Sequence, residues 1–126
     1  MRIGDIVHKT GLSISNIRYY EKLEIIRNIE RGEDGKRVYS EGDLKWIQFL
    51  AEFKKTQIPL SLMKKYASLY YDGDSTIDER IQLLKNHHMR LIMQLESLQN
   101  AIEFVEHKIE FYHHKKENLE HELSCL

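Results

Sequence analysis

A chain of 126 residues, 41% hydrophobic and 31% charged, suits one compact domain with an appendage, and contains no run near the roughly 18 apolar residues that a membrane-spanning helix needs. Its net charge of -1 conceals an asymmetry: residues 1–70 hold 13 Lys/Arg against 9 Asp/Glu, a balance of +4, and residues 71–126 hold 6 against 11, a balance of -5. The first part is the better match for a polyanion, and the second would repel one. A single cysteine, Cys125, excludes an intrachain disulfide framework. With no charged-then-apolar opening of the secretory type, a cytoplasmic protein with no membrane association is expected.

In chain order, Ile3, Ile6 and Val7 form one helical face, and Gly11 supplies the positive φ that ends a helix. Ser13 is placed to cap a second helix, in which Ile14, Ile17 and Tyr20 face inward while Ser15, Asn16, Arg18 and Tyr19 face out. A helix, a glycine turn and a second helix with a polar outer face have the layout of a helix-turn-helix. Residues 27–39 lose helical period. Glu33-Asp34-Gly35 reads as a turn between two short extended pieces, flanked by Arg27, Arg31, Lys36 and Arg37.

Ser40 and Asp43 predict a capping box for the next helix, whose buried face carries Leu44, Ile47, Leu50 and Ala51, widened by Trp46 and Phe49. Pro59, the only proline, suits the first turn of a fourth helix bearing Leu60, Met63, Ala67 and Tyr70 inward. These elements make residues 1–71 a DNA-binding candidate domain and residues 72–76 a hinge.

Residues 77–123 carry an unbroken 4-3 heptad frame, in which Ile81, Leu84, His88, Leu91, Leu95, Leu98, Ile102, Val105 and Ile109 are candidate dimerisation residues. Only His88 and Lys116 interrupt the apolar seam. Such a stripe is hidden by packing on another helix. At about 1.5 Å per residue the helix is roughly 70 Å long. The preceding residues are too few to cover that length, so a second copy of the chain is the expected partner. Residues 124–126 are left as a tail.

Ile3-Gly4-Asp5-Ile6-Val7, Thr10-Gly11-Leu12-Ser13, Ile17-Arg18-Tyr19-Tyr20-Glu21, Arg37-Val38-Tyr39-Ser40 and Asp43-Leu44 resemble the N-terminal domain of the mercury-resistance-regulator (MerR) family. The resemblance covers residues 1–70. It implies a mainly α fold, with a winged helix-turn-helix followed by a long C-terminal helix that forms an antiparallel coiled-coil dimer. It also implies a transcriptional regulator that binds a near-palindromic promoter element and distorts its spacer so that RNA polymerase can use it. By position, Ser15, Asn16, Arg18 and Tyr19 lie on the recognition helix. Lys36, Arg37 and Tyr39 belong to the wing, and Lys55 lies where a phosphate contact is usual.

The chain departs from the family at three loop positions, with Glu24, Arg27 and Gln57 in place of the usual Gly, Pro and Gly. A non-glycine residue at positive φ costs about 1 kcal/mol, so these loops are expected to take another shape. Asp43-Leu44-Lys45-Trp46-Ile47-Gln48-Phe49-Leu50 and the Leu69–Asp74 segment are similar to short, aldehyde- or electrophile-responsive members. Those members carry a reactive cysteine where this chain has Glu52, so thiol sensing does not carry over, and a small-molecule effector stays unidentified.

His87, His88, His107, His113, His114 and His121 are acceptable zinc ligands by type. The paired cysteines that the resemblance implies for metal-responding members are absent, so neither a metal nor a cofactor is expected. His88 is read as a polar group that sets the register of the seam. No arrangement suits acid–base or nucleophilic catalysis and no glycine loop cradles phosphate, so no catalytic residue is expected. The second reading is a coiled-coil module that recruits a different chain, with the basic domain incidental.

Overall fold

The computed structural model describes residues 1–125 and has five α-helices and one two-stranded hairpin. Helices α1 (Ile3–Thr10) and α2 (Ile14–Lys22) flank Gly11-Leu12-Ser13. Gly11 adopts φ +76° and its N–H donates to Val7 O at 2.9 Å, closing α1 as expected. Ser13 Oγ accepts from the Asn16 N–H at 3.0 Å and starts α2. Strands β1 (Glu30–Arg31) and β2 (Arg37–Val38) pair antiparallel, with Glu30 opposite Val38 and Arg31 opposite Arg37.

Helix α3 (Glu41–Lys55) opens with the expected reciprocal box, Asp43 N–H to Ser40 Oγ at 3.1 Å and Ser40 N–H to Asp43 Oδ2 at 2.9 Å. Helix α4 (Leu60–Asp72) follows Pro59. A 3-10 turn over Asp74–Thr76 then leads into α5 (Ile77–Ser124). Helix α5 thus takes in Ser124 of the expected tail, and Leu126 lies outside the described residues. No helix among the described residues is long and apolar enough to cross a membrane.

The chain divides into two compact units. The first, Met1–His87, extends past the boundary expected at residue 71 because Leu83 and His87 of α5 are buried, at 8% and 5% exposure. Its centre is apolar: Ile6, Ile17, Ile25, Ile47, Leu50 and Ala67 are fully enclosed. Beside them lies an aromatic stack. The Trp46 ring is 4.0 Å from Tyr70 and within 5° of parallel, and it also stacks with Phe49 and Tyr66. The Trp46 Nε1–H donates to Ile25 O at 2.9 Å, which satisfies the indole's only polar group in the interior. Ile14 departs from expectation, staying 42% exposed at the first position of α2, where the helix has not yet turned over the core.

The loops at Glu24 and Gln57 also depart from expectation. Both residues adopt left-handed backbone, φ +60° and +62°, as does Asn28 at +60°. The loops therefore keep a conformation that suits glycine and carry the strain. What holds the first one is the burial of Ile25 and Ile26 behind it, with both N–H groups donating to Tyr20 O. At Arg27 the backbone N–H donates to Tyr71 Oη at 3.0 Å, a bond that a proline could not make.

In the second unit α5 continues without tertiary cover. Leu95, Leu98, Ile102, Val105 and Ile109 are each at least half exposed, and His88 is exposed while its neighbour His87 is not.

Candidate nucleic-acid interface

The outer face of α2 follows from its inner one. Ile17 and Tyr20 point into the core, so Ser15, Arg18 and Tyr19 are left exposed and Asn16 half-buried. Beyond α2 the chain returns through the hairpin. Its turn is closed by Gly32 N–H to Lys36 O at 2.8 Å and by the Arg31 guanidinium on Gly35 O at 2.7 Å. Asp34 Oδ1 accepts the Lys36 N–H at 3.1 Å, and its carboxylate takes a two-pronged contact from the Arg2 guanidinium at 3.1 and 3.3 Å. The Lys36 backbone N–H, and then the Arg2 guanidinium, hold the Asp34 carboxyl below the usual carboxylate range, while desolvation works in the other direction.

Arg37 is held differently. Its Nε lies against Glu21 Oε2 of α2, and both side chains are only about a quarter exposed (28% and 24%). This fixes the guanidinium root between α2 and β2 and leaves its outer nitrogens to another acceptor. Arg31 stands across the ladder from Arg37, an unfavourable like-charge pairing that an arriving anion would relieve.

These pieces enclose a cleft of about 490 Å³ lined by Arg2, Ile3, Arg18, Arg31, Asp34, Gly35, Lys36 and Arg37. Three residues expected at the interface, Arg18, Lys36 and Arg37, meet there, and Ser15, Asn16 and Tyr19 share Arg18's helix. With five cations and one carboxylate, its chemistry suits a phosphate-bearing ligand. Lys55 lies apart at the end of α3 and pairs with Glu52 at 2.9 Å on the open surface, both more than two-thirds exposed. Such a pair is weak and leaves the ammonium available.

Tyr39 corrects the expectation of a wing contact. It is 2% exposed, with its N–H on Met1 O at 2.7 Å, so its ring belongs to the core. Burial, followed by the nearby Glu21 carboxylate, pushes its phenol above the ordinary tyrosine range, and its hydroxyl has no hydrogen-bond partner among the described residues. Conversely, Arg2 and Arg31 line the cleft although neither was among the expected site residues. Arg31's place beside the turn was a usable signal. Arg2 offered none, since its contact with Asp34 joins residues 32 apart in sequence.

Residues 1–69 match the family model described as MerR HTH family regulatory protein. The transcriptional regulator AdhR of Bacillus subtilis is 32% identical over 73% of this chain, which spans just under two thirds (66%) of AdhR. The HTH-type transcriptional regulator ZntR of Escherichia coli is 26% identical over 81% of this chain and 75% of its own length. Among solved structures, a MerR family regulator from Listeria monocytogenes superposes with TM-score 0.79 at 30% identity, covering 89% of this chain and 85% of that one. HiNmlR, a MerR family regulator that lacks the sensor domain and was solved bound to promoter DNA, superposes with TM-score 0.71 at 32% identity, covering 88% of each. By motif, fold and cleft together, this chain belongs to the MerR family of helix-turn-helix transcriptional regulators.

Proposed function

We propose that the chain works as a homodimer that binds a near-palindromic promoter element in the cytoplasm and distorts its spacer in favour of RNA polymerase. Helix α2 enters the major groove with Ser15, Asn16, Arg18 and Tyr19, and the wing grips flanking phosphates with Lys36 and Arg37. The observation that carries this reading is the cationic cleft between α2 and the hairpin, which joins a base-reading helix to a phosphate-holding wing. The relative HiNmlR was solved bound to promoter DNA. Bending a duplex costs several kcal/mol, roughly 1–6 for a smooth bend, which favours many phosphate contacts from cations held in place as Glu21 holds Arg37.

The exposed heptad stripe supports self-association, with Ile81, Leu84, His88, Leu91, Leu95, Leu98, Ile102, Val105 and Ile109 in the seam. An antiparallel arrangement would set two heads apart along one face of the duplex. The reading of α5 as a recruiting module for another chain leaves the cleft without a purpose, and is not favoured.

Footprinting over the promoter region next to the gene tests the proposal. The expected result is a protected site with two half-sites, lost as salt is raised because bound cations displace counterions. Absence of protection at moderate salt rules the proposal out.

A further inference from the structure

Asp34 is the one acidic group lining the cleft, and it sits at the tip of the wing where a backbone phosphate would have to approach. Its partner Arg2 is rooted on α1, where the Arg2 N–H donates to Asp5 Oδ2 at 3.0 Å, and reaches across to the hairpin. Gly32 leaves room beside the pair. A Cβ there would lie 3.3 Å from Asp34 Oδ1, which would have to give by a few tenths of an ångström, and in ordinary contact with Arg2 Nη1 at 3.7 Å.

We infer that Asp34 occupies, in the free protein, the seat of a DNA-backbone phosphate, and that Arg2 exchanges this carboxylate for the phosphate when the wing docks. The inference rests on the DNA-binding reading above and adds to it a ligand, Arg2, and an internal competitor, Asp34. Two features favour exchange over a permanent brace. The pair is half exposed on both sides (52% and 47%), and surface pairs of that kind contribute little to holding a structure together. Asp34 also keeps a second partner, the Lys36 N–H, so Arg2 can leave without orphaning the carboxylate. The guanidinium fork that grips two carboxylate oxygens has the geometry to grip two phosphate oxygens. In the free state the Arg2–Asp34 pair would lower the wing's attraction for other anions.

The test uses the full chain and a fluorescein-labelled duplex of random sequence, titrated across a salt series. Asp34→Asn is expected to tighten binding by about fivefold, well beyond the effect of Glu33→Gln, which removes the same charge from the same exposed turn. Arg2→Gln is expected to weaken binding and to reduce the slope of log K against log salt by about 0.9, the value for one phosphate. Arg2→Lys, which keeps the charge and lacks the fork, should retain most of that slope; loss of the slope in both variants would assign Arg2 a purely structural part and overturn the exchange. In the Arg2→Gln background, Asp34→Asn should gain no more than Glu33→Gln does. Equal gains from Asp34→Asn with and without Arg2, or weaker binding by Asp34→Asn, overturn the exchange while leaving the DNA-binding reading intact. A parent chain that leaves the duplex unbound at the lowest salt sinks both.

Discussion

Thr56 Oγ1 and His87 Nε2 stand 2.9 Å apart and join the end of α3 to the first turns of α5. The Thr56 hydroxyl donates its own hydrogen to Phe53 O at 2.6 Å, so the histidine must donate through Nε2. Nδ1 is then left buried and without a partner among the described residues. The imidazole also meets Phe53 edge-on at 6.1 Å.

A buried polar atom with no partner is a debit that an apolar side chain of similar size removes. His87→Leu is therefore expected to stay within about 1 kcal/mol of the parent in urea unfolding, since Thr56 keeps its bond to Phe53 O. His87→Ala, which opens a cavity beside Phe53, should cost about 2 kcal/mol or more. If leucine proves as damaging as alanine, the bond to Thr56 matters more than the packing.

Glu24 and Gln57 hold left-handed backbone where a side chain is unwelcome. Replacing either with glycine should raise stability by about 1 kcal/mol, read as a higher melting temperature. Asn28 has a similar φ but belongs to a residue type that tolerates it, so Asn28→Gly serves as the comparison and should gain less. Equal gains at all three positions would remove strain as the cause.

Glu21 has the opposite sign of effect from Asp34, although both are carboxylates beside the same cleft. Because Glu21 orients Arg37 through Nε, Glu21→Ala should weaken binding to duplex DNA several-fold, even though it makes the protein less negative. A gain in affinity would show that Arg37 needs no such support.

Arg18→Ala is expected to lower affinity about tenfold or more and leave the melting temperature unchanged, since the side chain is exposed and makes no internal bond that the fold depends on. Unchanged affinity would remove Arg18 from the interface.

Leu98 and Ile102 lie 60% and 50% exposed near the middle of the heptad frame. Placing glutamate at both should convert the species seen in sedimentation from dimer to monomer, because two buried carboxylates per chain would face an apolar seam. A parent chain that already sediments as a monomer would remove the dimer from the proposed mechanism.

Much of this was readable from local chemistry. The caps at Ser13 and Ser40, the stop at Gly11 and the period of α5 depend on neighbours within a turn or two, and each appears where its residue type calls for it. The errors fall where distant residues decide. Tyr39 follows a two-residue strand, too short for its facing to be legible, and is drawn inward by a backbone bond to Met1. The burial of His87, four residues after buried Leu83, was not legible because it depends on Thr56 and Phe53, far back in the sequence. At Glu24 and Gln57 the propensity argument misjudged the outcome, because surrounding burial overrides about 1 kcal/mol of local strain.

Trp46 is the only tryptophan in the chain, and it is enclosed within the aromatic stack of the first unit. Its fluorescence is therefore an optical probe native to that unit, while far-ultraviolet circular dichroism will be weighted toward the 48 residues of α5. The two signals, followed through one denaturation, report separately whether the reading head and the long helix melt together or in turn.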